Sequence, residues 1–238
     1  MEKLVKQNWS VGDFGDLDEV LSIYSQPQHK KTTAKLLNTP SDVLGVSSPN
    51  MRNIVKVICK GNVISFLDNL VADNYEKTVI YGMLITKIKD ETVAFKYFAK
   101  YLKLIDNWAC ADLCADFVLI DKNPEKHWEF VKGLALSSDV WTSRCGIVLM
   151  LKFYRYKFFD RVFEVMDCIK SDEYYINMAQ AWLISTFFID NPDRTLAYLK
   201  SNKLNDFTQN KSIQKINESF RISEEHKAAA VELKRNRK

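Results

Sequence analysis

The sequence contains little glycine, proline or histidine: its 238 residues include only 7 Gly, 5 Pro and 3 His. Scarce Gly and Pro leave few residues for tight turns, which favours long helices over many short strands. The scarcity of His argues against Ser/His or Cys/His nucleophilic sites, and no Gly-rich phosphate-binding loop is present. The composition therefore predicts an all-α protein and gives no support to the common classes of hydrolase or nucleotide-binding enzyme.

Cysteine pairs and long apolar runs are also missing. The 5 cysteines are odd in number and scattered, which predicts free thiols. Cys110 and Cys114 lie one helical turn apart, but every histidine is distant in sequence, so we interpret them as core residues rather than metal ligands. No apolar run approaches the ~18 residues of a membrane span, and MEKLVKQNWS lacks the apolar core of a signal peptide. We expect a soluble, cytoplasmic monomer that uses no metal, cofactor or membrane.

The sequence does contain a repeat of 33 residues. Aspartates recur at this interval, and a degenerate copy follows at Asn205; they are Asp73, Asp106, Asp139 and Asp172. An aromatic residue stands two positions after each: Tyr75, Trp108, Trp141, Tyr174 and, in the fifth copy, Phe207. Nine positions after each aspartate stands a small or modest side chain suited to close helix packing: Gly82, Ala115, Val148 and Ala181. Such spacing is typical of a solenoid.

Each aspartate suits the N-cap of a helix, because its carboxylate can accept the free backbone N–H groups of the first turn. Further amphipathic helices with their own start signals lie between these, near Asp90, Lys122, Tyr156 and Asn191. The pattern predicts stacked antiparallel helix pairs that form a HEAT-like solenoid with a concave groove. We expect a single domain over 1–238, with a divergent helical segment at 1–35 and a basic helix at 221–238.

Asp112 is the residue that the repeat does not explain. Six positions after the predicted cap, the other copies carry Val79, Cys145 and Met178. An unpaired buried carboxylate is costly, so Asp112 should face a cleft or meet a cation. Arg144, on the next repeat, is the candidate partner, and a purely structural ion pair is the alternative. Stacked helices could bring both residues together with two tryptophans, Trp108 and Trp182, although Trp108 also suits simple packing.

Four separated motifs resemble the HEAT-like-repeat DNA alkylation repair glycosylases (AlkD-like). They are the W-x-x-x-D of NWACAD, the arginine in VWTSRCGIVLML, the tryptophan in YYINMAQAWLIS and the entry segment VLGVSSPNMRNI. The resemblance runs from about Leu36 to the carboxyl end, with the motifs in the family's order and spacing.

The resemblance implies excision of cationic N3- and N7-alkylpurines from duplex DNA. The carboxylate, here Asp112, would stabilise positive charge on the deoxyribose and position water. Trp108 and Trp182 would contact the sugar, and Arg144 would hold a phosphate. The groove would grip the DNA backbone, unlike glycosylases that flip a base into a pocket.

The chain also departs from the family pattern. Asn107 and Ala109 replace a second tryptophan and an acid beside the catalytic segment, and Ser143 replaces an arginine. The segment HKKTTAKLLNTPSDVLGV lacks the basic and aromatic helix that precedes the entry segment in classical members. We interpret the chain as a divergent branch. The alternatives to a glycosylase are a non-catalytic module that binds distorted or branched nucleic acid, and a protein-binding solenoid.

The net charge of +4 permits an anionic partner without requiring one. We expect five basic residues to contact DNA phosphates: Arg52, Lys56, Lys211, Lys215 and Arg221. The final cluster of Lys234, Arg235, Arg237 and Lys238 is more typical of a solvated helix end, because cations complement a helix carboxyl terminus.

Overall fold

The computed structural model describes residues 1–155 and 158–235. These residues form helices joined by short connections, with two isolated bridges, Ser25 to Val46 and Asp42 to Asn74, and no strand. The prediction of an all-α protein is confirmed. Contacts divide the chain into two compact units, Met1–Val118 and Leu119–Lys238. None of the helices in the described part combines the length and apolarity needed to cross a bilayer.

The first unit begins with two short 3₁₀ segments, Glu2–Leu4 and Val11–Phe14, and a third, Leu113–Asp116, follows its last helix. Its α-helices are α1 (Gly15–Tyr24), α2 (Pro27–Leu37), α3 (Ser48–Ile58), α4 (Val63–Asn69), α5 (Tyr75–Ile85), α6 (Glu91–Leu102) and α7 (Trp108–Asp112).

The second unit is likewise built from helices. They are α8 (Leu119–Lys122), α9 (Pro124–Ala135), α10 (Val140–Phe153), α11 (Phe159–Cys168), α12 (Tyr174–Asp190), α13 (Pro192–Ser201), α14 (Asp206–Glu218) and α15 (Glu224–Val231). α10 packs against α9 and α12, and α12 packs against α14. The basic helix predicted at 221–238 is shorter, since Arg221 precedes α15 and Lys234 and Arg235 follow it.

The predicted helix caps are right in two copies of the repeat. Asp139 accepts the N–H of Thr142 at 2.8 Å, and Asn205 accepts that of Thr208 at 2.8 Å. The predicted caps Asp90 and Asn191 are also confirmed, at α6 and α13. Another two starts were predicted a few residues too early, at Lys122 and Tyr156: α9 begins at Pro124, and α11 begins at Phe159, while Tyr156 lies outside the described residues.

At α5 and α7 the cap is the asparagine that follows the predicted aspartate. Asn107 accepts the N–H of Cys110 at 3.0 Å, and its amide donates to Asp106 at 2.7 Å. Asp106 is thereby free to accept the hydroxyl of Ser41 at 2.5 Å. Asn74 acts in the same way at α5, and Glu173 precedes α12 without a side-chain cap. The prediction that Asp73, Asp106 and Asp172 cap these helices is therefore wrong.

Close helix packing occurs where the repeat predicted a small residue in the first unit. A Cβ on Gly82 of α5 would lie 2.6 Å from the ring of Tyr101 on α6, so a larger residue would push these helices apart. In the second unit α10 approaches α9 closely at Gly146, where a Cβ would lie 2.1 Å from the backbone nitrogen of Ala135.

Candidate functional site

An open groove of about 410 Å³ lies in the first unit and contains both Trp108 and Asp112. It is bordered by α2, α3, α5 and the segment from α7 into the following 3₁₀ turn. Its lining residues are His29, Thr33, Leu36, Leu37, Val46, Ser48, Met51, Tyr75, Trp108, Ala109, Asp112, Leu113 and Asp116. We call this surface the Asp112 groove.

Asp112 occupies the last position of α7, which is only 5 residues long. Beyond it the backbone tightens into the 3₁₀ turn Leu113–Asp116 instead of continuing as a long helix. Asp112 is half-buried, as is Met178, whereas the other two counterparts in the repeat, Val79 and Cys145, are 3% and 0% exposed. From the end of α7 the carboxylate lines the groove, and this partial exposure lowers the desolvation cost expected for a buried charge.

Trp108 forms part of the groove wall together with α2. Its indole Nε1 donates to the backbone carbonyl of Leu36 at 3.4 Å, and this carbonyl belongs to the last turn of α2. The helix ends at Leu37, and its C-cap Asn38 adopts the left-handed conformation (φ 48°). The side chain of Leu36 is 64% exposed, so the rim of the groove next to Trp108 is apolar.

The expectation that the segment HKKTTAKLLNTPSDVLGV lacks a basic and aromatic helix is wrong in part. α2 is a regular helix of 11 residues that carries His29, Lys30, Lys31 and Lys35. Lys31 and Lys35 are exposed, and Lys30 pairs with Asp42 at 3.1 Å. The helix contains no Phe, Trp or Tyr, so the aromatic part of the expectation holds.

The entry segment is held in place by Glu76, which is completely buried at the start of α5. Its carboxylate accepts three consecutive backbone N–H groups, those of Leu44, Gly45 and Val46, at 2.9, 2.8 and 3.1 Å. Gly45 has a φ of 89°, and a Cβ there would lie 2.6 Å from the backbone nitrogen of Lys30. The path of the chain between α2 and α3 therefore requires glycine at position 45 and an anion at position 76.

A small basic cleft of about 170 Å³ shares Leu113 and Asp116 with the Asp112 groove. Two of its cations, Arg52 and Lys56, are exposed on α3 and were predicted from the sequence. The third is Lys87, just beyond α5, which sequence reasoning missed. Its only signal was the basic run KIK after an apolar helix, and that pattern is common at any helix end.

Arg144 and Trp182 lie in the second unit. Arg144 is 7% exposed, and one of its guanidinium nitrogens donates to the carbonyl of Tyr175 at 2.9 Å. Trp182 is 37% exposed on α12. Ser143 is fully buried and donates to the carbonyl of Ala135 at 2.8 Å, which makes it a packing residue. The convergence of Arg144 and Trp182 with Trp108 and Asp112 stays a prediction.

The basic residues predicted near the carboxyl end have different surroundings. Lys211 donates to Gln214 at 2.7 Å, Lys215 is half-buried and Arg221 is exposed. Arg235 donates to the Asn202 side chain at 2.9 Å and lies 3.4 Å from Asp206, so it holds the carboxyl-terminal segment against α14. Arg237 and Lys238 lie outside the described residues.

Within the described ranges, no three His, Cys, Asp or Glu side chains are grouped to hold a metal ion. None of the 5 cysteines, which all lie within the described ranges, forms a disulfide, as predicted. A family model described as DNA alkylation repair enzyme matches residues 17–216. No curated protein sequence matches the chain significantly.

Proposed function

Because the chain belongs to the DNA alkylation repair enzyme family, we propose that it is a DNA glycosylase that removes cationic N3- or N7-alkylpurines from duplex DNA. The observation that carries this proposal is the half-buried carboxylate of Asp112 beside the Trp108 indole in the Asp112 groove. A groove with this pair suits a sugar that becomes positively charged, since an anion and an aromatic face both stabilise a cation.

The proposed reaction breaks the glycosidic bond between C1′ of the deoxyribose and N9 of the alkylated purine. The base carries a positive charge before cleavage, so it takes the bonding electrons and leaves as a neutral molecule without needing an acid. Asp112 stabilises the cationic sugar that forms and accepts the proton of the water that adds to C1′. The protein would thus contribute mainly electrostatic stabilisation, which is commonly the largest single contribution to enzyme catalysis.

The surroundings of Asp112 support binding through the DNA backbone. The groove is open rather than a closed cavity for an extruded base. The neighbouring basic cleft would neutralise phosphates on the same strand through Arg52, Lys56 and Lys87. Trp182 would contact the sugar, and Arg144, oriented by the Tyr175 carbonyl, would hold a further phosphate.

A non-catalytic DNA-binding module is the second candidate, and Asn107 favours it. In classical members of the family that the sequence resembles, a tryptophan stands at this position. Here Asn107 is completely buried and serves as the cap of α7. Ala109 has likewise replaced an acid on the groove. The chain would then keep the phosphate contacts and lack part of the machinery that surrounds the sugar.

Release of 7-methylguanine from methylated duplex DNA tests the proposal. We expect release by the wild type, and we expect Asp112→Asn to reduce its rate ~100-fold or more while DNA binding persists. The control is Asp121→Asn, which neutralises an exposed carboxylate on α8 and should release base at the wild-type rate. DNA binding by a wild type that releases neither 7- nor 3-methylated purines would exclude the glycosylase and favour the non-catalytic module.

A further inference from the structure

A row of aromatic side chains runs along the amino-terminal ends of α10, α12 and α14 in the second unit. The ring centroids of Trp141 and Tyr175 are 4.8 Å apart, those of Tyr175 and Tyr174 are 5.3 Å apart, and those of Tyr174 and Phe207 are 6.1 Å apart. Each residue lies at the first or second position of its helix. We call Trp141, Tyr174, Tyr175 and Phe207 the aromatic row.

The aromatic row is only partly used for packing. Tyr174 is 55% exposed, and the other three members are half-buried. In contrast, Phe187 and Phe188, which pack α12 into the core, are both 0% exposed. Rings that served helix packing alone would be expected to resemble these two, so the row offers aromatic surface to a ligand.

Phe207 at the end of the row is shared by two adjoining clefts. One, of about 380 Å³, is lined by Asp172, Tyr174, Asn177, Asn205 and Phe207. The other, of about 480 Å³, is lined by Asp206, Phe207, Asn210, Lys211, Gln214, Lys234 and Arg235. An extended ligand could therefore lie along the surface from Tyr174 over Phe207 to the basic residues of the second cleft.

The second cleft is positively charged. Lys211 lies with its ammonium nitrogen 6.0 Å from the centre of the Phe207 ring, and Lys234 is exposed. Arg235 is already engaged by Asp206 and Asn202. The first cleft carries the opposite charge, because Asp172 lines it together with Tyr174. Two cations, Lys211 and Lys234, are thus placed to meet an anionic ligand.

We propose that the aromatic row and this basic cleft bind single-stranded nucleic acid. Bases would stack on Tyr174 and Phe207, and phosphates would lie beside Lys211 and Lys234. Each nucleotide of a single strand offers one aromatic face and one negative charge, which matches this alternation of rings and cations. A duplex fits less well because its base faces are already stacked on one another. The inference uses neither Asp112 nor base excision and is independent of the proposed glycosylase activity.

The test is fluorescence anisotropy of the full chain with a labelled oligothymidylate of about 12 nucleotides, within the usual site sizes. A strand of the same length built from abasic residues carries the same charge without bases. We expect oligothymidylate to bind at least about fivefold more tightly than this abasic strand, since one stacked base contributes about that factor or more.

Variants assign the binding to the proposed surface. Tyr174→Ala should weaken oligothymidylate binding at least about fivefold. Phe220→Ala is the matched control, because Phe220 is fully exposed outside the row, and it should bind like the wild type.

The salt dependence tests the phosphate contacts. With two such contacts the slope of log K against log salt should be about −1.4, and the double variant Lys211→Ala/Lys234→Ala should bring it close to zero. Lys200→Ala, on α13, should keep the wild-type slope.

Three results would overturn the inference. These are no binding of oligothymidylate at low salt, equal affinity for the abasic strand, and wild-type affinity in Tyr174→Ala. Helix content from circular dichroism, measured on every variant, excludes loss of folding as a cause, and the exposure of Tyr174 makes such loss unexpected.

Discussion

The carboxylate of Glu76 accepts the backbone N–H of Gly45 at 2.8 Å, in the interior of the first unit and 31 residues away in sequence. The same carboxylate holds the amides on either side of Gly45, so one buried anion fixes the chain between α2 and α3. Because α2 and α3 both border the Asp112 groove, the shape of the groove depends on this contact.

Replacing Glu76 tests that dependence. Glu76→Gln keeps the shape of the side chain, but it removes the charge and directs an NH₂ group towards backbone donors. Hydrogen bonds to a charged group contribute about 1.5–3 kcal/mol each, so we expect a loss of roughly 3 kcal/mol in the free energy of unfolding. Urea denaturation measures this loss. Glu164→Gln, at an exposed position of α11, should change the stability by less than about 0.5 kcal/mol.

The cap of α7 should matter for the Asp112 groove and not only for stability. Asn107→Ala removes the side chain that accepts the Cys110 N–H and should cost about 1–2 kcal/mol. Asn62 caps α4 in the same way, by accepting the N–H of Ser65 at 3.0 Å, and lies outside the groove. If base release is measured at a temperature where both variants are folded, Asn107→Ala should be slower than Asn62→Ala. Equal rates would show that the cap does not position Asp112.

Lys87 should contribute to duplex binding as much as either Arg52 or Lys56, the two cations of the basic cleft that were predicted from the sequence. Each phosphate contact contributes about 0.9 to the slope of log K against log salt, so Lys87→Ala should reduce the magnitude of the slope by about that amount. Anisotropy titrations of a labelled duplex over a range of salt concentrations measure it. Lys103→Ala, exposed after α6, is the control and should have the wild-type slope. An unchanged slope in Lys87→Ala would remove the basic cleft from the DNA interface.

Stability at alkaline pH should depend on Tyr97. Burial, together with a hydrogen bond to Asp68, raises the pKa of Tyr97 to about 12, whereas an unfolded tyrosine ionises near ~10. The folded chain therefore keeps this proton while the unfolded chain loses it, so this contribution to stability is complete below pH ~10 and is lost as the pH rises through about 12.

Tyr97→Phe should accordingly show a shallower fall of unfolding free energy with pH across that window. The fall should not disappear, because burial also raises the pKa of Tyr154 and Tyr81. Tyr174→Phe changes a hydroxyl on a side chain that is more than half exposed, and it should follow the wild-type curve. Urea denaturation at several pH values is the measurement, and identical curves for wild type and Tyr97→Phe would contradict the assignment.

The sequence was sufficient to predict the helical class and four helix caps, Asp90, Asp139, Asn191 and Asn205, because periodicity and caps are local signals. It did not predict which member of an Asp–Asn pair caps α5 and α7. Both residue types are good caps, and the choice depends on distant partners: Asp106 is held by Ser41, 65 residues away. Since such contacts exist only in the folded chain, the pattern placed these caps one residue early.

The residues of the candidate site also fall into two groups, those that the sequence could predict and those that it could not. Asp112 could be found because it is a charge at an apolar position of a repeat, and Trp108 because of its spacing from Asp112. Glu76 and Lys87 carried no such signal. Glu76 resembles an ordinary acidic residue of a first helical turn, and its burial becomes visible only when the entry segment folds over it. Lys87 gains its position from the packing of α3 against α5.

The two proposed site residues, Trp108 and Asp112, lie on the short helix α7 and not on the long helices that form most of the fold. A helix of 5 residues has no independent stability, so the segment from Trp108 to Asp112 is ordered by its neighbours and contributes little to their order. Its amide protons should exchange with solvent earlier than those of α10 or α12, which are 14 and 17 residues long. Over evolutionary time, substitutions in this short segment could alter or abolish the proposed base excision while the long helices continue to fold. One scaffold can in this way give rise both to enzymes and to proteins that only bind.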